Sequence, residues 1–122
     1  MHRQVLVVED DALIRKNMVE VLREEGYQVF GAGNGQEALT YLQTTSSLPC
    51  LILLDLMMPV MDGWKFSIEQ KQDTRLQKIP VVVVTADGNA QQKAKKLAAE
   101  GWVKKPIEIT ALLNVVQRYC TS

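Results

Sequence analysis

The 122-residue chain is predicted to fold as an α/β domain, with one parallel sheet covered by helices on both faces. Short apolar runs alternate with helix-like patterns five times along the chain, and this alternation favours parallel strands joined by right-handed crossovers. The runs are rich in β-branched residues and lack a polar–apolar alternation, which is typical of strands buried on both faces. The length suits one domain whose core forms without metal or disulfide support.

Five strands are predicted from the apolar runs. They span residues 5–8, 27–30, 50–54, 81–84 and 102–103, of which the second is mixed in character and the last is weak. Residues 44–49 separate the second helical pattern from the third strand. They are predicted to form a loop rather than a linker, because the third strand follows at once.

Five helices are predicted between and after these strands. Asp11 is expected to cap the first, which ends near Gly26, and Asn34 with Glu37 resembles a capping box at the start of the second. The third is predicted over 64–72 and the fourth over 89–100. Pro106 is expected to open the last helix. The side chains expected to face inward are Ile14, Met18, Val21 and Leu22 in the first helix, Ala38, Leu39 and Leu42 in the second, and Ile109, Leu112, Leu113 and Val116 in the last.

Composition excludes several classes of function. Fourteen basic and fourteen acidic residues give no net charge, so the chain has no general attraction for nucleic acid or anionic lipid. No apolar run is long enough for a membrane span, and the first is too short for a signal peptide, so a cytoplasmic location is expected. One histidine, His2, excludes a multi-histidine metal site. Cys50 and Cys120 are expected to remain reduced and without a redox role.

Acidic residues are expected to meet where the strands end. Glu9 and Asp10 follow the first strand and Asp55 follows the third, while Thr85 follows the fourth and Lys105 the fifth. In open parallel sheets, the ligand site lies beyond the carboxyl ends of the strands. Clustered carboxylates suit Mg²⁺, and a lysine and a hydroxyl beside them suit a phosphoryl group. Asp55 is therefore the candidate nucleophile for an aspartyl phosphate.

Four motifs in the same order resemble the receiver domains of two-component response regulators. They are Val7-Val8-Glu9-Asp10-Asp11, the stretch from Leu53 to Gly63, Val84-Thr85-Ala86, and the stretch from Gly101 to Pro106. The resemblance covers essentially the whole chain, residues 1–122, as one receiver domain. It implies a flavodoxin-like three-layer (βα)5 fold whose five-stranded parallel sheet has the order 2-1-3-4-5.

The resemblance also implies a role for each site residue. Asp55 accepts a phosphoryl group from a histidine kinase or phosphotransfer protein, and Lys105 pairs with the phosphoryl oxygens. Glu9, Asp10, Asp55 and the backbone carbonyl of Met57 coordinate Mg²⁺. Thr85 moves towards the phosphoryl group, and the aromatic switch residue then changes orientation. That residue is Trp102, where tyrosine or phenylalanine is usual, and Glu9 stands where aspartate is commoner.

The expected function is a phosphorylation-controlled switch in a phosphorelay. The domain is not expected to be an enzyme, although it assists its own phosphorylation and dephosphorylation. The downstream protein is expected to bind the surface formed by the fourth helix, fifth strand and fifth helix. The domain itself is not expected to contact nucleic acid or membrane. The sequence is compatible with a homodimer as well as with a monomer. The 122 residues are expected to leave no room for an output domain. The sequence fits either a complete single-domain regulator or a receiver cut from a longer protein.

Three other classes of protein fit the site residues less well. A phosphatase of the haloacid dehalogenase type requires an aspartate two residues after the nucleophile, where this chain has Met57. A flavin-binding flavodoxin requires a hydroxyl-rich loop after the first strand, where this chain has acids. A degenerate receiver that acts by protein contact alone is disfavoured by the complete acidic cluster with Thr85 and Lys105.

Neighbouring residues also receive predictions. The side chains of Met57 and Asp87 are expected to shield or orient the hydrolytic water and so to set the lifetime of the aspartyl phosphate. Asp62 is expected to cap a helix rather than to bind metal. Three methionines, Met57, Met58 and Met61, are expected to pack in the core. Three lysines of the fourth helix, Lys93, Lys95 and Lys96, form either a solvated face or a partner surface.

Overall fold

Five parallel strands form one sheet in the computed structural model, which describes residues 4–120. The strand order is β2-β1-β3-β4-β5, so the central strand is β3. The strands are β1 (Gln4–Val8), β2 (Gln28–Ala32), β3 (Leu51–Asp55), β4 (Val81–Thr85) and β5 (Gly101–Lys104). The helices are α1 (Ala12–Glu24), α2 (Gly35–Thr44), α3 (Gly63–Gln72), α4 (Ala90–Lys96) and α5 (Ile109–Tyr119). The predicted flavodoxin-like fold and its strand order are confirmed.

Alternate side chains of each strand point to opposite faces of the sheet, and both faces are covered by helices. On one face, Leu6 and Ile52 pack with the inward sides of α2, α3 and α4. On the other face, Val5 and Leu51 pack with α1 and α5. This double burial explains why the strands are continuous apolar runs, since neither face of the central strands meets water.

The predicted helix caps are confirmed at three positions. The Asp11 carboxylate accepts hydrogen bonds from the backbone N–H groups of Leu13 and Ile14. Asn34 caps α2 by accepting from the N–H of Glu37, and Asp62 caps α3 by accepting from the N–H of Lys65. Each cap lies between the carboxyl end of a strand and a helix, so each one helps to fix a loop that faces the predicted site.

The last helix begins later than the sequence predicted. Pro106 lies in the loop before α5, in a cis peptide bond with Lys105, and Glu108 is the residue that precedes the helix. The predicted inward orientation of Ile109 is wrong, because this side chain is 56% exposed, whereas Leu112 and Val116 are buried as predicted. The helix starts three residues after the proline, and its apolar face starts correspondingly later.

The fourth helix is shorter than predicted. It ends at Lys96, and Ala98 has a left-handed backbone with φ of 56°. The N–H of Ala99 returns to the carbonyl of Ala94, which closes the helix before Gly101. The chain therefore enters β5 through a turn rather than directly from a helix.

The expectation that both cysteines remain reduced is wrong in this structure. Cys50, immediately before β3, forms a disulfide with Cys120, which follows α5. Their Cα atoms lie 5.5 Å apart although 70 positions separate them in the sequence. His2 lies outside the described residues. Across residues 4–120, no helix has the length and apolar character needed to cross a membrane.

Candidate phosphoacceptor site

Three carboxylates meet at the carboxyl ends of β1 and β3. Glu9 and Asp10 follow the last residue of β1, and Asp55 is the last residue of β3. The parallel register pairs Val8 with Leu54, so the following residues are brought side by side. One oxygen from each of the three carboxylates lies within 4.8 Å of the others. Glu9 and Asp55 are buried, whereas Asp10 is exposed and leaves the cluster open to solvent.

Lys105 lies over this cluster from the loop after β5. Its Nζ is 2.8 Å from Oε1 of Glu9 and 3.6 Å from Oδ2 of Asp55. Its backbone N–H donates to the carbonyl of Thr85, which fixes the loop to the end of β4. The neighbouring Lys104 is exposed, so only Lys105 of the two adjacent lysines contacts the carboxylates.

Burial, followed by the negative charge of Glu9, raises the pKa of Asp55 from 3.8 to about 7. The charge of Lys105 and the backbone N–H of Met57 oppose this shift, but they do not cancel it. Burial lowers the pKa of Lys105, yet its hydrogen bond to Glu9 and the charge of Asp55 leave that pKa raised overall. One ammonium therefore does not balance the acidic cluster, and hard oxygen donors with surplus negative charge fit a divalent cation such as Mg²⁺.

Thr85 is buried at the end of β4, with its hydroxyl held by the following loop. The Oγ1 of Thr85 accepts a hydrogen bond of 3.2 Å from the N–H of Asp87. The Asp87 carboxylate accepts from the N–H of Asn89 and forms an ion pair with Lys93 of α4. The hydrogen bond from Lys93 lowers the pKa of Asp87. A chain of polar contacts thus connects α4 with the hydroxyl of Thr85.

The predicted switch residue Trp102 lies on β5, where it pairs with Val83 of β4. Its side chain is 44% exposed, so the indole ring faces outward in this structure. The lysines of α4 are not equivalent. Lys93 is partly buried in its ion pair, whereas Lys95 and Lys96 are exposed.

The loop after Asp55 turns sharply back towards α3. The N–H of Met57 donates to Oδ1 of Asp55 at 3.2 Å. Val60 is 84% exposed and has a left-handed φ of 66°, an uncommon backbone conformation for a β-branched residue. The predicted packing of Met57 is wrong, because its side chain is 71% exposed. Met58 and Met61 do pack against the core beneath α2 and α3.

Two further residues support the site, and sequence reasoning missed one of them, Arg15. Arg15 of α1 donates from Nη1 to the backbone carbonyl of Glu9 at 2.7 Å and so positions the first acidic residue. Gly63, the first residue of α3, donates its N–H to the carbonyl of Leu56. The spacing of Arg15 from Glu9 carries no distinctive signal, but Gly63 belongs to the motif that begins at Asp55, and its place there pointed to a constrained turn.

The sequence and fold identify the family. The family model described as response regulator receiver domain matches residues 5–117. The chain belongs to this family. Sporulation initiation phosphotransferase F of Bacillus subtilis is 36% identical over 121 residues, covering 98% of this chain and 94% of that protein. The transcriptional regulatory protein PdtaR of Mycobacterium tuberculosis is 36% identical over 119 residues, covering 94% of this chain but 55% of that protein.

A solved receiver structure agrees with the fold over almost its full length. The chemotaxis response regulator CheY4 of Vibrio cholerae has a TM-score of 0.87 and 30% identity, with 98% of this chain and 99% of that chain covered. Several curated relatives are longer, and the chain spans about half the length of these regulators. This receiver domain is accordingly a unit of two-component signalling, in which receivers interact with histidine kinases and phosphotransfer proteins.

Proposed function

We propose that residues 1–122 act as one receiver unit that accepts a phosphoryl group on Asp55 from a histidine kinase or a phosphotransfer protein. The observation that carries the proposal is the position of Lys105, whose ammonium is shared between Asp55 and Glu9 at the open edge of the sheet. Asp55 is a buried carboxylate that lies beside one cation and two further acids. This arrangement suits a nucleophile that accepts a phosphoryl group.

Asp55 acts as the nucleophile in this proposal. One carboxylate oxygen attacks phosphorus, the bond between phosphorus and the donor imidazole nitrogen breaks, and an acyl phosphate forms while the nitrogen keeps the electron pair. Lys105 is near enough to exchange its contact with Asp55 for one with a phosphoryl oxygen. Its positive charge then offsets the negative charge of the transferred group.

Glu9, Asp10, Asp55 and the Met57 carbonyl would hold Mg²⁺ in this site. The bound ion supplies positive charge that offsets the charge on the phosphoryl oxygens. Arg15 holds the backbone of Glu9, and the N–H of Met57 holds one oxygen of Asp55, so the chain itself orients two of the proposed ligands. Burial and the charge of Glu9 raise the pKa of Asp55, and a bound cation would offset both effects, which supports this assignment.

The proposed output begins at Thr85. Its hydroxyl can donate to a phosphoryl oxygen while it accepts from Asp87, and its movement is transmitted to α4 through the pair of Asp87 and Lys93. Trp102 would then turn from its exposed position, and the face formed by α4, β5 and α5 would present a changed surface to a downstream protein or to a second copy of the chain. Phosphorylation biases a two-state equilibrium in this scheme.

The proposed activity is a single stoichiometric modification rather than multiple turnover. The domain assists the transfer onto itself, which leaves the donor dephosphorylated, and the later hydrolysis, which restores the Asp55 carboxylate and releases inorganic phosphate. We place this exchange in the cytoplasm, where ATP supplies the phosphoryl groups of histidine kinases.

Labelling with a small phosphoryl donor tests the proposal. Purified protein is incubated with Mg²⁺ and phosphoramidate, and incorporation is measured by mass spectrometry of the intact chain. The wild type is expected to gain one phosphoryl group and Asp55→Asn to gain none. Asp62→Asn is the matched control, because asparagine also caps helices and Asp62 serves as the cap of α3. Equal labelling of Asp55→Asn and the wild type would refute the assignment.

A further inference from the structure

Cys50 and Cys120 connect the central strand to the last helix at the edge of the sheet opposite the carboxylates. Cys50 precedes β3 at its amino end, and Asp55 ends the same strand, roughly 16 Å away at 3.3 Å per residue. Cys120 follows the last turn of α5. The Cα separation of 5.5 Å lies within the range that disulfides require. The two cysteines are therefore placed for a cross-link that does not involve the phosphoacceptor site.

The two cysteine residues differ in their exposure to solvent. Cys120 is 2% exposed, packed in the cluster between the sheet and the helices α1 and α5. Cys50 is partly exposed, so a small reagent can reach it first. Its Sγ lies 3.1 Å from the carbonyl oxygen of Gln4, which gives a reduced thiol at this position an acceptor. Reduction of the disulfide would therefore leave the thiol of Cys50 beside a hydrogen-bond acceptor.

We propose that Cys50 and Cys120 form a reversible thiol–disulfide site that reacts with low-molecular-weight disulfides. The thiolate of Cys50 attacks one sulfur of the small disulfide, forms a mixed disulfide and releases one small thiol. The thiolate of Cys120 then attacks the sulfur of Cys50 and releases the second small thiol. Two protein thiols are oxidised to one disulfide, the small disulfide is reduced to two thiols, and these take up the two protons.

The cross-link fastens the end of α5 to the sheet. It closes a loop of about 70 residues, and a loop of this length restricts the unfolded chain strongly. Oxidation therefore stabilises the domain and restrains α5, whereas reduction frees its last turn. Disulfides inside cells are characteristically transient and responsive to redox conditions, which agrees with a reversible site on a signalling domain.

Equilibration in glutathione buffers tests this inference. The full chain is incubated at a series of ratios of oxidised to reduced glutathione, quenched with an alkylating reagent and weighed by mass spectrometry. At oxidising ratios we expect a monomer with no alkylated thiol, and at reducing ratios two alkyl groups. The melting temperature is expected to be roughly 10 °C higher in the oxidised form.

Two single variants identify the order of reaction. Cys120→Ala is expected to accumulate the mixed disulfide of Cys50, and Cys50→Ser is expected to leave Cys120 largely unmodified. Neither variant should show a melting temperature that depends on the redox buffer. Two alkylated thiols at every ratio, disulfide-linked dimers in place of the monomer, or equal melting temperatures of the oxidised and reduced wild type would each overturn the inference. Phosphoramidate labelling of Asp55 is scored separately, so failure of one proposal does not imply failure of the other.

Discussion

Gly63 lies against the backbone of Asp55, the proposed phosphoacceptor. A Cβ atom at this position would lie 2.7 Å from the carbonyl oxygen of Asp55 and 2.8 Å from the Cα of Leu56. Both are backbone atoms, so neither can give way without moving the end of β3. We therefore expect Gly63→Ala to lower the free energy of unfolding by roughly 1–3 kcal/mol and to slow phosphorylation of Asp55.

Urea denaturation and phosphoramidate labelling measure the two effects of this substitution. Gly101→Ala is the matched control, because a Cβ on Gly101 meets no atom within 4 Å and Gly101 also lies at the start of a secondary-structure element. The control is expected to change both quantities little. If both variants lose the same stability and label at the same rate, close approach to Asp55 is not the reason for the glycine.

The main residues of the site were predictable because the apolar runs show where each strand ends, and the site lies at the carboxyl ends of the strands. Once β1 and β3 are parallel neighbours, Glu9 and Asp55 must lie side by side, and Lys105 follows from the loop after β5. The exposure of Met57 was not predictable, because methionine is more often buried and the loop direction depends on a turn that local sequence does not specify. The contact from Arg15 to Glu9 depends on one long side chain, which leaves no periodic pattern.

The connection between β4 and α4 carries a prediction about the lifetime of the aspartyl phosphate. Lys93 holds the carboxylate of Asp87, and the N–H of Asp87 is bonded to Thr85. Without Lys93, the carboxylate is free to orient a water molecule towards the phosphoryl group. We expect Lys93→Gln to shorten the lifetime roughly two- to tenfold and Asp87→Ala to lengthen it.

Decay of the phosphorylated chain after removal of the donor measures this lifetime. The double variant Lys93→Gln with Asp87→Ala is expected to behave as Asp87→Ala alone, because Lys93 acts through that carboxylate. Lys96→Gln is the control, since Lys96 is exposed on the same helix. Lifetimes that change in the same direction in both single variants contradict a positioning role for Lys93.

At the scale of elements, burial on both faces made the strands easy to predict, and helix ends were harder. The apolar runs located all five strands to within about two residues, since continuous β-branched stretches have few other uses. Pro106 misled the prediction of α5, because a proline can precede a helix by several residues as well as occupy its first turn. The end of α4 depends on the left-handed backbone of Ala98, a residue that carries no helix-stop signal.

At the scale of the whole molecule, the disulfide was the feature furthest from the sequence-based expectation. Two cysteines in a chain of this length and composition favoured reduced thiols. Only the folded topology places the start of β3 beside the end of α5, since Cys50 and Cys120 have a sequence separation of 70. Sequence order predicted which elements lie next to one another in the sheet, but the pairing of two side chains at its edge required the packed structure.

The charge at the phosphoacceptor site gives the whole domain a stability that depends on pH. The pKa of Asp55 is raised from 3.8 to about 7 by burial and by Glu9, so the folded chain retains a proton that the unfolded chain releases. The free energy of unfolding therefore falls as pH rises from about 4 through 7, because the unfolded state binds fewer protons. At pH 8 the ionised carboxylate is expected to cost about 2–4 kcal/mol.

Urea denaturation of the wild type and Asp55→Asn at pH 5 and pH 8 isolates this contribution from that of the other acids. The variant is expected to be more stable than the wild type at both pH values, and the difference is expected to be clearly larger at pH 8 than at pH 5. Mg²⁺ at pH 8 should raise the stability of the wild type more than that of the variant, since it binds the folded chain and the variant lacks one ligand. A difference between the proteins that is the same at both pH values and insensitive to Mg²⁺ would show that Asp55 is ionised throughout, and that Lys105 alone balances the cluster.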